Sequence, residues 1–236
     1  MKLEKITERS RRYDDACGTA HGLELLGERW TLLIVRELML GPRRFSDLRR
    51  DLPGLSANVL TQRLETLEAN GVVRRRTLPP PASVQVYELT DWGYEAEPVI
   101  QTLGRWAVRS PGHDPNQPIS AVSIMLSFRT MFAPGVRPGF DAAIGYRTGE
   151  QRFRIAVAPD RLTVRRVETL DDADVVFIGP PEALGAAAYG PGLGAMEAQG
   201  ALRIEGSREI AERFLALFEL PPKAMVPSAF RSNGVI

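Results

Sequence analysis

The stretch RSPGHDPNQP, Arg109 to Pro118, constrains this chain more than any other. Its three prolines and one glycine remove backbone donors and break helical and strand periodicity alike, so it reads as a linker. It divides the 236 residues into an N-terminal domain over 1–110, a linker over 111–118 and a C-terminal domain over 119–236. Both flanking pieces have the length of an ordinary domain. With 44% hydrophobic and 25% charged residues, the composition is that of a folded globular protein. No apolar run reaches the roughly 18 residues that a membrane span needs. The first residues are charged throughout, unlike the apolar core of a secretory signal. Cys17 is the single cysteine, which excludes an intrachain disulfide framework and fits a reducing compartment. A cytoplasmic protein with no membrane partner is expected. His21 and His113 stand too far apart in the chain to suggest a metal cluster, and no cofactor is expected.

In the N-terminal piece, Leu23 to Leu40 has helical apolar spacing and stops at Gly41-Pro42. Phe45, Leu48 and Leu52 mark a short second helix, which Pro53-Gly54 ends. Ser56 is a good N-cap for a third helix running to Asn70, with Gly71 after it. Two β-prone runs follow, Val72–Thr77 and Val84–Leu89, joined by LPPPAS. Thr90 then caps a longer helix with Trp92, Ala96, Val99, Leu103 and Trp106 on one stripe. Helix, helix, turn, helix, hairpin, helix is the order of a winged helix-turn-helix domain.

Charge singles out the same region. Net charge is only +1, yet residues 36–76 carry nine arginines against five acids, which suggests a local anionic partner. Projected as a helix, Ser56 to Asn70 puts Leu60, Leu64 and Leu67 inward. Asn58, Thr61 and Gln62 face out near its start. Such a helix can enter a DNA major groove by its N-terminal turns, where Asn and Gln pair with adenine and Ser or Thr with several base edges. Ser56, Asn58, Thr61 and Gln62 are therefore the candidate base-reading residues. Arg43, Arg44, Arg74, Arg75 and Arg76 flank them as candidate phosphate contacts. Arg63 lies beside the buried stripe and reads as structural first.

The run GERWTLLIVRELMLGPRRFSDLRRDLPGLSANVLTQRLETLEANGVVRR, followed by VYELTDWG, resembles the HxlR-type winged helix-turn-helix regulators over roughly Asp15 to Arg109. The resemblance implies a dimeric bacterial transcription regulator bound to double-stranded DNA at an inverted-repeat operator, with terminal helices at the dimer interface. It also places a cysteine where Cys17 stands, and some members sense oxidants or electrophiles there. Cys17 is either a packed small side chain or such a sensor, and Asp14 and Asp15 beside it are expected to raise its thiol pKa. One departure stands out: the family's wing carries an arginine near its tip, whereas Leu78 to Val86 has no basic residue. More of the affinity then falls on the helix, on Arg43 and Arg44, and on the arginines of the first strand.

The C-terminal piece has a different rhythm. Pro118–Phe132 reads as a helix, followed by strand-like runs Phe140–Arg147, Arg152–Val157, Leu162–Val167 and Ala173–Ile178. Glu182–Tyr189 and Ala195–Gln199 read as helices and Leu202–Glu205 as a last short strand. Ser207 caps a final helix with Ile210, Phe214 and Leu217 inward. The whole is an α+β chain, a mostly helical winged domain followed by an antiparallel sheet covered by helices. From DADVVFIGPP through GALRIEG to the last helix, this piece resembles the sterol carrier protein type 2 family. That resemblance implies an apolar cavity for a lipid or hydrophobic small molecule. The candidate lining is Phe128, Met131, Phe132, Phe153, Phe177, Met196, Phe214 and Phe218, although aromatics and methionines at such spacing also make plain core.

No Ser-His-Asp set, catalytic carboxylate pair or phosphate-binding glycine loop stands out, so no enzyme is expected. The reading that unites the two pieces is a homodimeric DNA-binding regulator modulated by a hydrophobic effector. The alternatives are a hydrophobe carrier whose winged domain mediates protein contacts, or a second domain that serves assembly alone.

Overall fold

The computed structural model describes residues 13–80, 83–133 and 139–225. They form two compact units that divide between Glu97 and Pro98.

The first unit opens with α1 (Gly18–Leu26) and α2 (Thr31–Leu38), where one helix over Leu23–Leu40 was expected. The chain breaks between them because Trp30 takes a left-handed backbone at φ 80°, and Thr31 N–H turns back to the Glu28 carbonyl. Next come α3 (Phe45–Asp51) and α4 (Ala57–Ala69), joined by a turn whose Leu52 and Leu55 are buried. Ser56 caps α4, its Oγ accepting the Val59 N–H at 3.3 Å. β1 (Val73–Thr77) and β2 (Gln85–Leu89) pair antiparallel as the wing, Val73 opposite Leu89 and Thr77 opposite Gln85. Pro81 and Ala82, within the expected wing tip, lie outside the described residues.

The long helix expected after Thr90 is two helices, α5 (Asp91–Tyr94) and α6 (Glu97–Ala107). Pro98 explains the break: its ring would collide with the Tyr94 carbonyl one turn back, but its missing N–H costs nothing in the first turn of α6. Gly93 is the tightest point of the wing's base. A Cβ there would stand 2.2 Å from the Val72 carbonyl oxygen, so only glycine lets α5 lie against the end of the hairpin. Thr90 secures the same joint, its N–H and Oγ–H reaching the carbonyls of Val72 (3.0 Å) and Gly71 (2.7 Å).

The second unit takes in α6, α7 (Ala121–Met131), β3 (Ala142–Thr148), β4 (Gln151–Ala158), β5 (Arg161–Arg166), β6 (Val175–Ile178), α8 (Pro181–Tyr189), α9 (Leu193–Ala198), β7 (Arg203–Gly206) and α10 (Arg208–Leu215). The five strands form one sheet in the order β5-β4-β3-β6-β7. An antiparallel sheet was expected, but the sheet is mixed, because β3 and β6 run parallel. After β5 at the edge, the chain crosses back to the far side of β3, and such a crossover delivers a parallel neighbour. The connection passes over Gly145, where an added Cβ would lie 3.2 Å from Leu170 and 3.3 Å from Ala173. That glycine is what leaves room for it.

Unit two ties the proline-rich stretch down. Lys223 Nζ donates to the carbonyls of Val108 (3.0 Å), Ser110 (3.1 Å) and His113 (3.4 Å). Ala224 N–H reaches the Arg109 carbonyl at 2.7 Å, and Arg105 reaches the Thr130 carbonyl at 2.7 Å. These bonds hold α6 and residues 108–113 to the second unit, so its boundary falls ahead of the prolines.

Candidate nucleic-acid interface

Burial of Leu60, Leu64 and Leu67 orients α4. With that stripe inward, Ser56, Asn58, Thr61 and Gln62 are all exposed on its first two turns. Four short polar side chains thus share one helix end, ahead of any charge on α4. Arg63, on the flank, is held by Glu28 (2.8 Å) and the Arg29 carbonyl (3.1 Å), and so braces α4 against the turn before α2. It acts structurally, as its position beside the stripe suggests.

The flanking arginines differ among themselves. Arg44 is exposed beside the start of α3. Arg43 departs from the expected phosphate contact: its guanidinium is only 7% exposed and is ion-paired with Asp51, itself 10% exposed. Its backbone also bridges to Tyr87, N–H to carbonyl at 2.9 and 2.8 Å in the two directions. Arg43 therefore pins α3 to the wing, because a backbone bridge to β2 directs its side chain inward.

On β1, Arg74 and Arg76 point to one face and both reach Glu88, each at 2.7 Å. Glu88 is buried, while the two arginines are half exposed. One carboxylate facing two guanidiniums leaves a net positive charge on that face. Arg75 points the other way, over the Tyr87 ring and onto Glu68 at 2.6 Å. The three arginines read from sequence as one run thus occupy two faces. Arg49, exposed on α3, is a further cation, which the sequence reading counted as local charge without placing it at the site.

Cys17 is exposed, not packed. Its thiol pKa is lowered, first by the Thr19 backbone N–H, then by that of Ala20 and the Thr19 side chain. The expected rise from Asp14 and Asp15 does not occur. Asp15 instead spends its carboxylate on the Cys17 backbone N–H at 2.9 Å, and the start of α1 supplies the donors that favour a thiolate.

This unit has relatives of known family. Residues 25–114 match the model of the HxlR-like helix-turn-helix family. The uncharacterized HTH-type transcriptional regulator YvaP of Bacillus subtilis is 40% identical over 85 residues, which cover 36% of this chain and 79% of that protein. The chain belongs to the HxlR-like helix-turn-helix family. A second relative, the HTH-type transcriptional regulator YodB of Bacillus subtilis, is 40% identical over 83 residues, covering 35% of this chain and 74% of YodB. The solved reduced form of YodB aligns with 34% identity over 42% of this chain and all of that chain, with a TM-score of 0.38. The HxlR match ends at residue 114, ahead of the five-stranded sheet.

Inside the second unit, the side chains expected to line a cavity fall into groups. Phe128, Phe214 and Phe218 touch one another with centroids 4.5–5.2 Å apart, and Phe177 joins them through Phe214 at 5.9 Å. Phe153 stacks on Tyr146 at 6.0 Å, and Tyr146 in turn stands opposite Phe177 in the sheet register. Met131 and Met196 are buried, whereas Phe132 is half-buried at the end of α7. Sequence reasoning missed a half-buried polar pair beside this apolar interior: Ser127 Oγ and Tyr189 OH, 2.6 Å apart. Burial pushes the Tyr189 hydroxyl pKa well up, so it stays neutral.

Proposed function

We propose that this chain is a dimeric, sequence-specific DNA-binding transcription regulator that reads base edges with the start of α4. The observation that carries this is the exposed set Ser56, Asn58, Thr61 and Gln62 on a helix held by a buried leucine stripe, within a domain of the HxlR-like family. Asn58 and Gln62 pair with bases, Ser56 and Thr61 add single hydrogen bonds, and Arg44, Arg74 and Arg76 take phosphates. The names of the relatives, HTH-type transcriptional regulators, support the same reading.

The dimer rests on α6. Val99, Leu103 and Trp106 are 55%, 45% and 70% exposed, at i, i+4 and i+7 on one face, and α6 buries no residue of its own. A helix that leaves a tryptophan in water and carries an apolar stripe is suited to a second copy. The second unit, by its likeness to sterol carriers and its aromatic interior, takes an apolar effector. An effector changes operator affinity only if it favours one placement of the two reading helices over another.

The deciding experiment selects duplexes from a random pool and measures binding of Asn58→Ala and Gln62→Ala variants to the winners. Each variant loses preference for its base by roughly 10-fold, the value of one bidentate contact at about 1–3 kcal/mol. Unchanged preference in both variants overturns the site assignment. No enrichment from the pool, together with tight hydrophobe binding, selects the carrier reading instead.

A further inference from the structure

The outer face of the five-stranded sheet is built from arginine. On β4 the side chains of Phe153, Ile155 and Val157 are buried, which turns Arg152 and Arg154 to the opposite face. The same alternation puts Arg161 and Arg165 of β5 and Arg147 of β3 on that face. β7 adds Arg203, opposite Ile178, while its Ile204 pairs with the inward Phe177.

Register then places like charges directly against each other. Arg147 stands opposite Arg152, and Arg154 stands opposite Arg165. Such opposed like charges weaken a sheet. Among the described residues, Asp172 pairs with Arg154, and Glu205 pairs with Arg203 at 2.6 Å and with Arg147 at 3.7 Å. Asp172 belongs to the connection between β5 and β6, which crosses this face over Gly145 and also carries the exposed Glu168 and Asp171, so six arginines stand against four acids. Arg152 donates to the Glu150 carbonyl at 3.2 Å, and Arg161 and Arg165 are exposed without an ion pair among the described residues. Glu150 and Asp160 lie in the hairpin turns at the ends of the strands.

We propose that this sheet face is a second polyanion-binding surface, and that its occupant is the phosphate backbone of duplex DNA. The inference rests on the winged unit binding DNA. The face uses arginine throughout, whose planar fork suits phosphate oxygens. From β5 to β7 the sheet spans about 19 Å at the usual strand spacing, and the connection over Gly145 parts its arginines into a β4–β5 group and a β3–β7 group. A lipid surface fits less well, because none of the large hydrophobic side chains left exposed among the described residues lies on these strands, and a membrane-seeking face needs them. Joined to a DNA-binding unit by one chain, even weak phosphate contacts gain from effective concentration. They add affinity without adding sequence preference.

The test uses the full chain and a random-sequence duplex, with binding followed by fluorescence anisotropy across a salt series. Replacing Arg152→Gln and Arg165→Gln together makes the log-log salt dependence shallower by about 2, roughly 0.9 for each phosphate no longer neutralised, with the melting temperature held. The pair Arg152→Lys and Arg165→Lys keeps the wild-type slope. A Gln pair with an unchanged slope overturns the inference and leaves the α4 reading intact. A wild-type chain that binds no duplex overturns the DNA reading itself. Loss of binding to phosphatidylserine vesicles in the Gln pair, with the DNA slope unchanged, also overturns it in favour of a membrane.

Discussion

Arg43 and Cys17 show how single residues acquire roles that neighbours in sequence do not reveal. Arg43 sits in an Arg-Arg pair just before α3, where the sequence suggests a phosphate contact. Its backbone bridge to Tyr87 instead draws the guanidinium in to Asp51. Arg43→Ala leaves the nearly buried Asp51 carboxylate with Arg50 alone, at 3.2 Å, and is expected to cost about 1–3 kcal/mol of stability, seen as a lower urea midpoint. A variant as stable as the wild type would show that the pair is held loosely in solution. Arg44→Ala, by contrast, should leave stability alone. Cys17 runs the other way, from a packed residue to an exposed one whose thiol pKa is lowered by backbone donors. Because the thiolate is the reactive form, a lowered pKa brings reactivity in at lower pH. The rate of iodoacetamide alkylation should therefore rise at lower pH in the folded chain than in urea. Equal midpoints would remove the case for an activated thiol.

Helices tell a similar story at the scale of the element. Periodicity located the amphipathic stretches correctly but ran two of them together. Trp30 and Pro98 break them, one through a left-handed backbone and the other through ring sterics. The second break matters more, since it separates α6 from α5 and leaves α6 a helix in its own right, with its apolar stripe exposed. We expect Leu103→Lys with Trp106→Lys to halve the mass seen by sedimentation equilibrium while thermal stability changes little, because neither side chain is buried within the chain. A wild-type chain that sediments as a monomer would remove α6 as a dimer surface. In the wing, the arginine run of β1 alternates between faces, so Arg74 and Arg76 act as a pair through Glu88 and Arg75 acts alone.

At the scale of the whole molecule, a symmetric dimer that reads DNA with α4 must present two such helices to successive major grooves. Duplexes selected from a random pool should then carry inverted half-sites about 10 base pairs apart, near 34 Å. A single unpaired half-site in the winners would mean that a monomer binds. By itself the sequence determined the order of elements, the cap at Ser56, the leucine stripe that orients α4 and the polar residues it leaves exposed. Those depend on local spacing and on the chemistry of neighbouring residues, which a linear pattern carries. Only the tertiary structure decided what lay across the chain: the pairing of Arg43 with Asp51, the parallel join of β3 and β6, and the opposed arginines of the outer sheet face. It also decided that the proline-rich stretch is fastened by Lys223 and Ala224 from far along the chain. A strand's alternation shows which side chains share a face, but not which strand will lie beside it. Pairing and register are settled by crossovers and close packing, as at Gly145 and Gly93, where the space for one missing Cβ determines how the chain can pass.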